Sequence, residues 1–462
     1  MDEKLKKALP LDPGFLPAAV FNRKFRDLLK GSGVPLRIGL EKPDGSVSIY
    51  STELLPDSAP SAEVNATYAE RIFKFLLWQR GGSRIHVGGP SEIARHLQTQ
   101  YCAGGLREFD FQFMSSLYER PLTFVSCPAE DVPPAREQKV PLGRHLSGCR
   151  VGFDLGASDR KVSAVIDGRV VYSEEAPWDP RNSSDPDYHF RHILDSIRRA
   201  ASKLPRLDAV GGRSAGIFID SRVRNSSLFR SVPRDLFEEK VAGLFRRIQG
   251  ELGVPLEVIN DGDVTALAGS MSLGKDPVLG IAMGSSEAAG YVDRAGSLTG
   301  WLNELAFAPI DYRPGAPVDE WSGDAGCGVQ YLSQVGAIRV AETAGMRFEP
   351  SLGLPEKLAL LQERMRAGDP RARGVYETIG AYLGFAVAHY AEFYELGHVL
   401  VLGRVTTGAG GEVVVEQART VLRSHFPGLS DAVSIALPDE SSRRVGQAIA
   451  AASLPAVEQE ER

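Results

Sequence analysis

Apolar and polar positions alternate with a period of two over Arg150–Leu155, Lys161–Ile166 and Arg169–Tyr172, which predicts three strands in succession. The last two are joined by Asp167-Gly168, a two-residue hairpin signal, because both positions favour positive φ. Strand and helix patterns then alternate. Ala209–Ile219 reads as a strand region, Asp235–Leu252 as a helix, Leu256–Ile259 as a strand and Asp263–Leu273 as a helix. Val278–Met283 and Ala289–Val292 read as strands, followed by a long helix over Gly374–Tyr394 and the strand His398–Leu402. A β-meander followed by such units predicts two α/β lobes with a cleft between them. Upstream, Pro35–Leu40 and Ser46–Tyr50 read as strands joined by Asp44-Gly45. Ala69–Trp78 reads as an amphipathic helix, and Ser91–Leu97 as the next one.

Between these two parts the pattern breaks. Residues 127–148 hold Pro128, Pro133, Pro134 and Pro141 among charged and polar neighbours, and proline at that density suits an extended connector. The chain therefore divides into an accessory domain over 1–126, a linker over 127–148 and a larger two-lobed domain over 149–462. Composition adds exclusions. The 462 residues are 43% hydrophobic and 24% charged, as in a folded globular protein. A net charge of -6 argues against nucleic acid as an obligatory partner. The longest apolar run, Ala448–Ala452, is too short to span a bilayer, and Met1–Lys7 lacks the apolar core of a secretory signal. Cys102, Cys127, Cys149 and Cys327 show no paired spacing, which fits a reducing cytoplasm.

Four short segments carry candidate chemistry. Asp154-Leu155-Gly156-Ala157-Ser158 ends a strand; its turn amides suit a phosphate, and Asp154 suits Mg²⁺ through water, although a plain hairpin has the same signature. Asn260-Asp261-Gly262-Asp263 joins a strand to a helix. Asp261 or Asp263 is either an N-cap or, for Asp261, a general base beside an Asn260 that binds a substrate hydroxyl. Gly284-Ser285-Ser286 follows an apolar strand and suits a second phosphate. Gly403-Arg404, in the glycine-rich stretch to Gly408, repeats the arrangement and suits a nucleotide base or a plain connection.

In order and spacing, these segments resemble the ROK family of sugar kinases and repressors, of the actin-like, hexokinase-type ATPase (ribonuclease H-like) fold. The resemblance covers about Cys149–Pro455, roughly two-thirds of the chain. The first phosphate motif of the family, Asp-x-Gly-Gly-Thr, is similar to Asp154–Ser158, and its Asn-Asp pair to Asn260-Asp261. Its second phosphate loop is similar to Gly284–Gly290, its Gly-Glu pair to Asn303-Glu304, its adenosine motif to Gly403–Gly408 and its closing helix to Gly446–Leu454. The resemblance implies an α/β fold of two lobes with an N-terminal α/β accessory domain added. It implies ATP and Mg²⁺, Asp261 as catalytic base, and Asn260, Glu304 and Asn225 as sugar ligands. The phosphate-binding residues would be Asp154, Gly156, Ala157, Ser158, Gly284, Ser285, Ser286, Gly403 and Arg404.

The sequence departs from the family at the sugar. A histidine gives way to Phe307, a glutamate to Val329, and only Cys327 is left of a three-cysteine zinc motif, so no structural zinc is expected. Each hydrogen bond lost from a charged partner is worth roughly 1.5–3 kcal/mol. Plain glucose is thus a poor substrate on this reading; a modified sugar or another polyol fits better. The expected function is ATP-dependent phosphorylation of a sugar hydroxyl in the cytoplasm, with a homodimer left open. The alternatives are a non-catalytic sugar or nucleotide sensor and a DNA-binding repressor. The last needs a basic recognition helix, whereas acidic and aromatic Gly104–Phe111 follows the second N-terminal helix.

Overall fold

Strand β1 (Val34–Glu41) pairs antiparallel with β2 (Val47–Leu54) across the Asp44-Gly45 turn, where Asp44 Oδ1 accepts the Ser46 N–H at 2.8 Å. This is the computed structural model, which describes residues 3–29, 31–56, 58–137, 142–438 and 440–457. The predicted linker therefore has 138–141, with Pro141, outside the described residues, as do Met1 and Asp2 of the N-terminal segment and 458–462 of the last predicted domain. Strands β3 (Arg84–Gly88) and β4 (Thr123–Cys127) complete a sheet of order β2-β1-β3-β4. The helix Ala59–Arg80 runs past it. Sequence periodicity predicts an exposed polar face for its second half, but every residue from Tyr68 to Ser83 is buried. Its charged residues are satisfied by partners inside the protein, as described below.

The second sheet has the order β11-β8-β5-β6-β7. It comprises β5 (Cys149–Leu155), β6 (Asp159–Ile166), β7 (Arg169–Pro177), β8 (Ala209–Ser214) and β11 (Leu256–Asn260). The turn from β6 to β7 holds Asp167 at φ 46° and Gly168 at φ 73°, as the hairpin signal requires. The strand region 209–219 is split: β8 ends at Ser214, and β9 (Ile217–Ile219) leaves after Gly216 to pair with β10 (Arg222–Asn225). The expected continuous helix 235–252 is also broken, into Arg234–Leu236, a wider turn over Phe237–Val241, and Leu244–Leu252 after Gly243. Strands β5, β8 and β11 are mutually parallel. The helix Asp261–Leu273 follows β11, and the helix Glu440–Ala452 packs on β5 and β8.

The third sheet, β13-β12-β14-β15, comprises β12 (Val278–Met283), β13 (Glu287–Val292), β14 (His398–Leu402) and β15 (Ser434–Ala436). The long helix before β14 spans Pro370–Tyr390, starting earlier than expected because Asp369 caps it and Pro370 occupies its first position. The chain forms two compact units. One comprises Met1–Gln138, Ile281–Ala289 and Gly300–Leu437; the other comprises Lys139–Gly280, Gly290–Thr299 and Pro438–Arg462. The N-terminal segment therefore shares a unit with β14, β15 and the inner parts of β12 and β13. Among the described residues no helix is long and apolar enough to cross a membrane.

Candidate functional site

In the unit holding the second sheet, the carboxyl ends of β5, β8 and β11 lie side by side, where α/β proteins place their ligands. The register sets Asp154 opposite Arg213, and Arg213 opposite Ile259. Arg213 Nη2 donates to Asp154 Oδ2 at 2.6 Å, and Nη1 reaches Thr265 Oγ1 at 3.3 Å. Thr265 in turn donates to the Asp261 carbonyl at 2.8 Å, and Gln447 Nε2 reaches the same hydroxyl at 3.3 Å. Burial raises the Asp261 carboxyl above its ordinary value; Arg213 opposes the rise, and Asp154 adds to it. Asp261 is the first residue of its helix. Neither it nor Asp263 is the cap: Asn260 is, its Oδ1 accepting the Gly262 N–H at 2.7 Å. Asn260 Nδ2 donates to the Gly216 carbonyl at 2.7 Å. An amide can make four hydrogen bonds, and two are taken here.

Gly216 joins two of the expected sugar ligands. Its φ is 129°, and a Cβ there would strike the Asn225 carbonyl, so only glycine lets β10 close against the end of β8. Asn225 is exposed beside the Gly216 that Asn260 tethers. The first phosphate turn is compact. Gly156 N–H donates to the Asp159 carbonyl at 2.9 Å, and Trp178 Nε1 to the Gly156 carbonyl at 2.8 Å. Ala157 and Ser158 form its tip, and Ser158 Oγ reaches Asp159 Oδ2 at 3.0 Å. This unit thus gathers Asp154, Gly156, Ala157, Ser158, Asn225, Asn260 and Asp261.

The other candidates lie in the unit that includes the N-terminal segment and β14. Gly284 N–H donates to the Ser286 carbonyl at 2.9 Å, a tight turn with Ser285 at its apex. Gly403, at φ 101°, packs on the Met283 backbone where a Cβ would not fit. Gly284–Ser286 and Gly403-Arg404 are therefore neighbours, with Arg404 exposed. The next residue of the loop, Glu287, turns inward. Tyr390 donates to its Oε1 at 3.1 Å, while Oε2 lies against Gly328 without a partner. Burial pushes this carboxyl up to about 8, despite the Tyr390 bond.

On the expected sugar side, Glu304 N–H donates to the Trp78 carbonyl at 3.0 Å. Phe307, three residues on, stacks on Trp78 with ring centroids 4.4 Å apart and lies among Phe109 and Phe113. Val329 packs with Ala306 and Cys327. The two apolar replacements thus belong to an apolar cluster covered by helices of the N-terminal segment. Next to it, Lys74 Nζ binds Asp110 Oδ2 at 2.6 Å and Asp324 Oδ2 at 3.1 Å. Arg71 and Arg107 both pair with Asp324 and with Glu70. Tyr101 donates to Glu70, Trp78 to Asp110, and Cys327 Sγ lies 3.7 Å from Asp324 Oδ2. Burial holds the Cys327 thiol well above its ordinary value, whereas metals bind the thiolate. The loop that resembles a zinc motif is therefore held by a buried ionic cluster.

Magnesium fits the chain poorly at the expected place. It needs oxygen ligands in a near-octahedral shell. Asp154 already gives Oδ2 to Arg213, whose charge competes with a cation for that carboxylate. The carboxylate expected to hold Mg²⁺ through water thus faces a guanidinium.

No protein-family model matches the sequence, and no curated protein matches it. Solved structures do. A ROK hexokinase from Thermus thermophilus is 20% identical, with a TM-score of 0.50 over 66% of this chain and 97% of that one. A ROK family transcriptional regulator, a homologue of the E. coli MLC protein, is 18% identical, with a TM-score of 0.53 over 66% of this chain and 78% of that one. Over about two-thirds of the chain the fold is therefore that of ROK proteins, the group that the motifs resemble.

Proposed function

We propose that this chain is an ATP-dependent kinase acting on a hydroxyl of a sugar derivative or polyol. The observation that carries the reading is Asp261, a carboxyl raised by burial at the end of a parallel strand, beside the expected ligands Asn260 and Asn225. A raised carboxyl is the better base near neutral pH. In the proposed reaction the substrate hydroxyl gives its proton to Asp261 as its oxygen attacks the terminal phosphorus of ATP, and ADP departs. Asn260 orients the hydroxyl with its remaining hydrogen-bonding capacity. The turns at Gly156–Ser158, Gly284–Ser286 and Gly403-Arg404 are the proposed binding elements for the nucleotide. Glu304 is a proposed sugar ligand. The stacking of Phe307 and Val329 into apolar cover supports a substrate other than plain glucose.

A second reading, a non-catalytic sugar or nucleotide sensor, is favoured by the Asp154–Arg213 pair, which occupies a carboxylate the reaction was expected to use. Measuring ATP consumption over a panel of sugars and polyols, with the parent and Asp261→Asn, separates the two. Turnover that depends on one sugar and is lost in the variant supports the kinase. Binding of sugar or nucleotide without turnover supports the sensor.

A further inference from the structure

We infer that Arg213 is a built-in cation standing where a divalent metal would otherwise meet Asp154, so that the nucleotide phosphates bind this unit without Mg²⁺ at that carboxylate. The inference rests on the nucleotide-site reading above and adds to it the manner in which phosphate charge is met.

The pairing is imposed by the backbone. Asp154 and Arg213 are register partners on adjacent parallel strands, so their side chains leave the sheet on the same face. The contact is short, 2.6 Å, as in a charge-assisted bond, and partly shielded, with side-chain exposures of 24% and 15%. The guanidinium is also steadied from the helix Asp261–Leu273, through Thr265. A magnesium ion arriving at Asp154 would have to displace this cation and surrender water that it gives up reluctantly. The pair already balances the carboxylate charge that would attract the metal. Arginine moreover offers planar, forked donors that match phosphate oxygens, and it carries its charge at every working pH. The ligand class is therefore the polyphosphate end of a nucleotide, met by a fixed organic cation and backbone amides. The same cation opposes the rise of the Asp261 carboxyl, so its charge also bears on the proposed base.

The test is calorimetric titration of ADP into the full chain, in excess Mg²⁺ and in excess EDTA, for the parent, Arg213→Ala and Arg213→Lys. The parent affinity should change by less than about threefold between the two buffers, while Arg213→Ala should depend on Mg²⁺ by at least about tenfold. Arg213→Lys, which keeps the charge but not the fork, should bind ADP more weakly than the parent yet stay independent of Mg²⁺, and Arg213→Gln serves if the alanine variant does not fold. A parent that binds ADP only with Mg²⁺ overturns the inference and leaves the kinase reading standing. Equal independence of Mg²⁺ in the parent and Arg213→Ala also overturns it, because another group would then be the cation. If ADP binds no form in either buffer, the nucleotide-site reading itself fails, and this inference falls with it.

Discussion

The molecule contains two charged clusters built from the same kinds of side chain and finished to opposite standards. Around Lys74, three cations (Lys74, Arg71 and Arg107) meet three carboxylates (Glu70, Asp110 and Asp324), with Tyr101 and Trp78 supplying further donors. The Lys74 and Asp110 side chains are 0% and 1% exposed. Burial works against the charge of Lys74, but Asp110 and Asp324 outweigh it and hold the ammonium above its ordinary range. Around Asp154, one guanidinium serves a carboxylate and the Thr265 hydroxyl, and its Nε is buried without a partner. A buried network must be complete, because each unmatched charge costs its full desolvation. A site that takes a ligand leaves some capacity unspent. The contrast separates the cluster that holds the fold together from the one proposed to act.

The sharpest way to break this comparison is Lys74→Met. It leaves Asp110 and Asp324 buried without their shared cation, and denaturant unfolding should show a loss of about 3–5 kcal/mol. A variant that unfolds like the parent would mean the cluster is not what secures the loop. Asp261→Asn should do the reverse. Sugar-dependent turnover should fall by about 10²–10⁴-fold, while the unfolding free energy stays within about 1 kcal/mol.

Glu287 lies between the two cases, buried with one partner. Its carboxyl sits near 8 in the folded chain, above the unfolded value of 4.5, so the folded state holds its proton longer. Stability should therefore fall as pH rises from the ordinary carboxylate range towards 8, then level off. Glu287→Gln should remove that decline, gaining up to about 4 kcal/mol over the parent on the alkaline side, read from unfolding midpoints across the pH range. No gain would mean that Oε2 has found a partner. The smallest effect is on the pH profile of turnover. Arg213→Ala removes the charge that opposes the rise at Asp261, so the acid limb should move upward by about a pH unit or less. Asp154→Asn should move it downward. A limb that stays put in both would detach Asp261 from this cluster.

What the sequence reveals follows from how local each signal is. The Asp167-Gly168 turn, the Asn260-Asp261 junction and the Asp154–Ser158 turn are written in adjacent residues, and each lies where the pattern puts it. Arg213 is different. Gly211-Gly212-Arg213-Ser214 reads as an ordinary strand end, and its partner Asp154 is 59 residues away. Arg71 and Lys74 read as a solvated helix face because their partner Asp324 comes from a separate part of the chain. Acidic and aromatic Glu108–Phe111 held half of the missing signal, since Asp110 is the acid that Lys74 and Trp78 meet. The cap shows a finer limit: residue type points to Asp261 or Asp263, and the geometry selects Asn260 instead.

The distance along the chain between Arg71 and Asp324, 253 residues, bears on how the protein is made. During synthesis the helix Ala59–Arg80 leaves the ribosome long before the loop that carries Asp324, at roughly 5–20 residues per second. Until then Arg71, Lys74 and Arg107 lack one of their carboxylates, and the Trp78 face lacks Phe307. The unit that begins first must wait for its last segment to close, while the second sheet, Cys149–Asn260, can assemble from one continuous stretch. A nascent chain halted before residue 324 should therefore expose the N-terminal segment to proteases and chaperones, a vulnerability set by the order of the gene rather than by the finished structure.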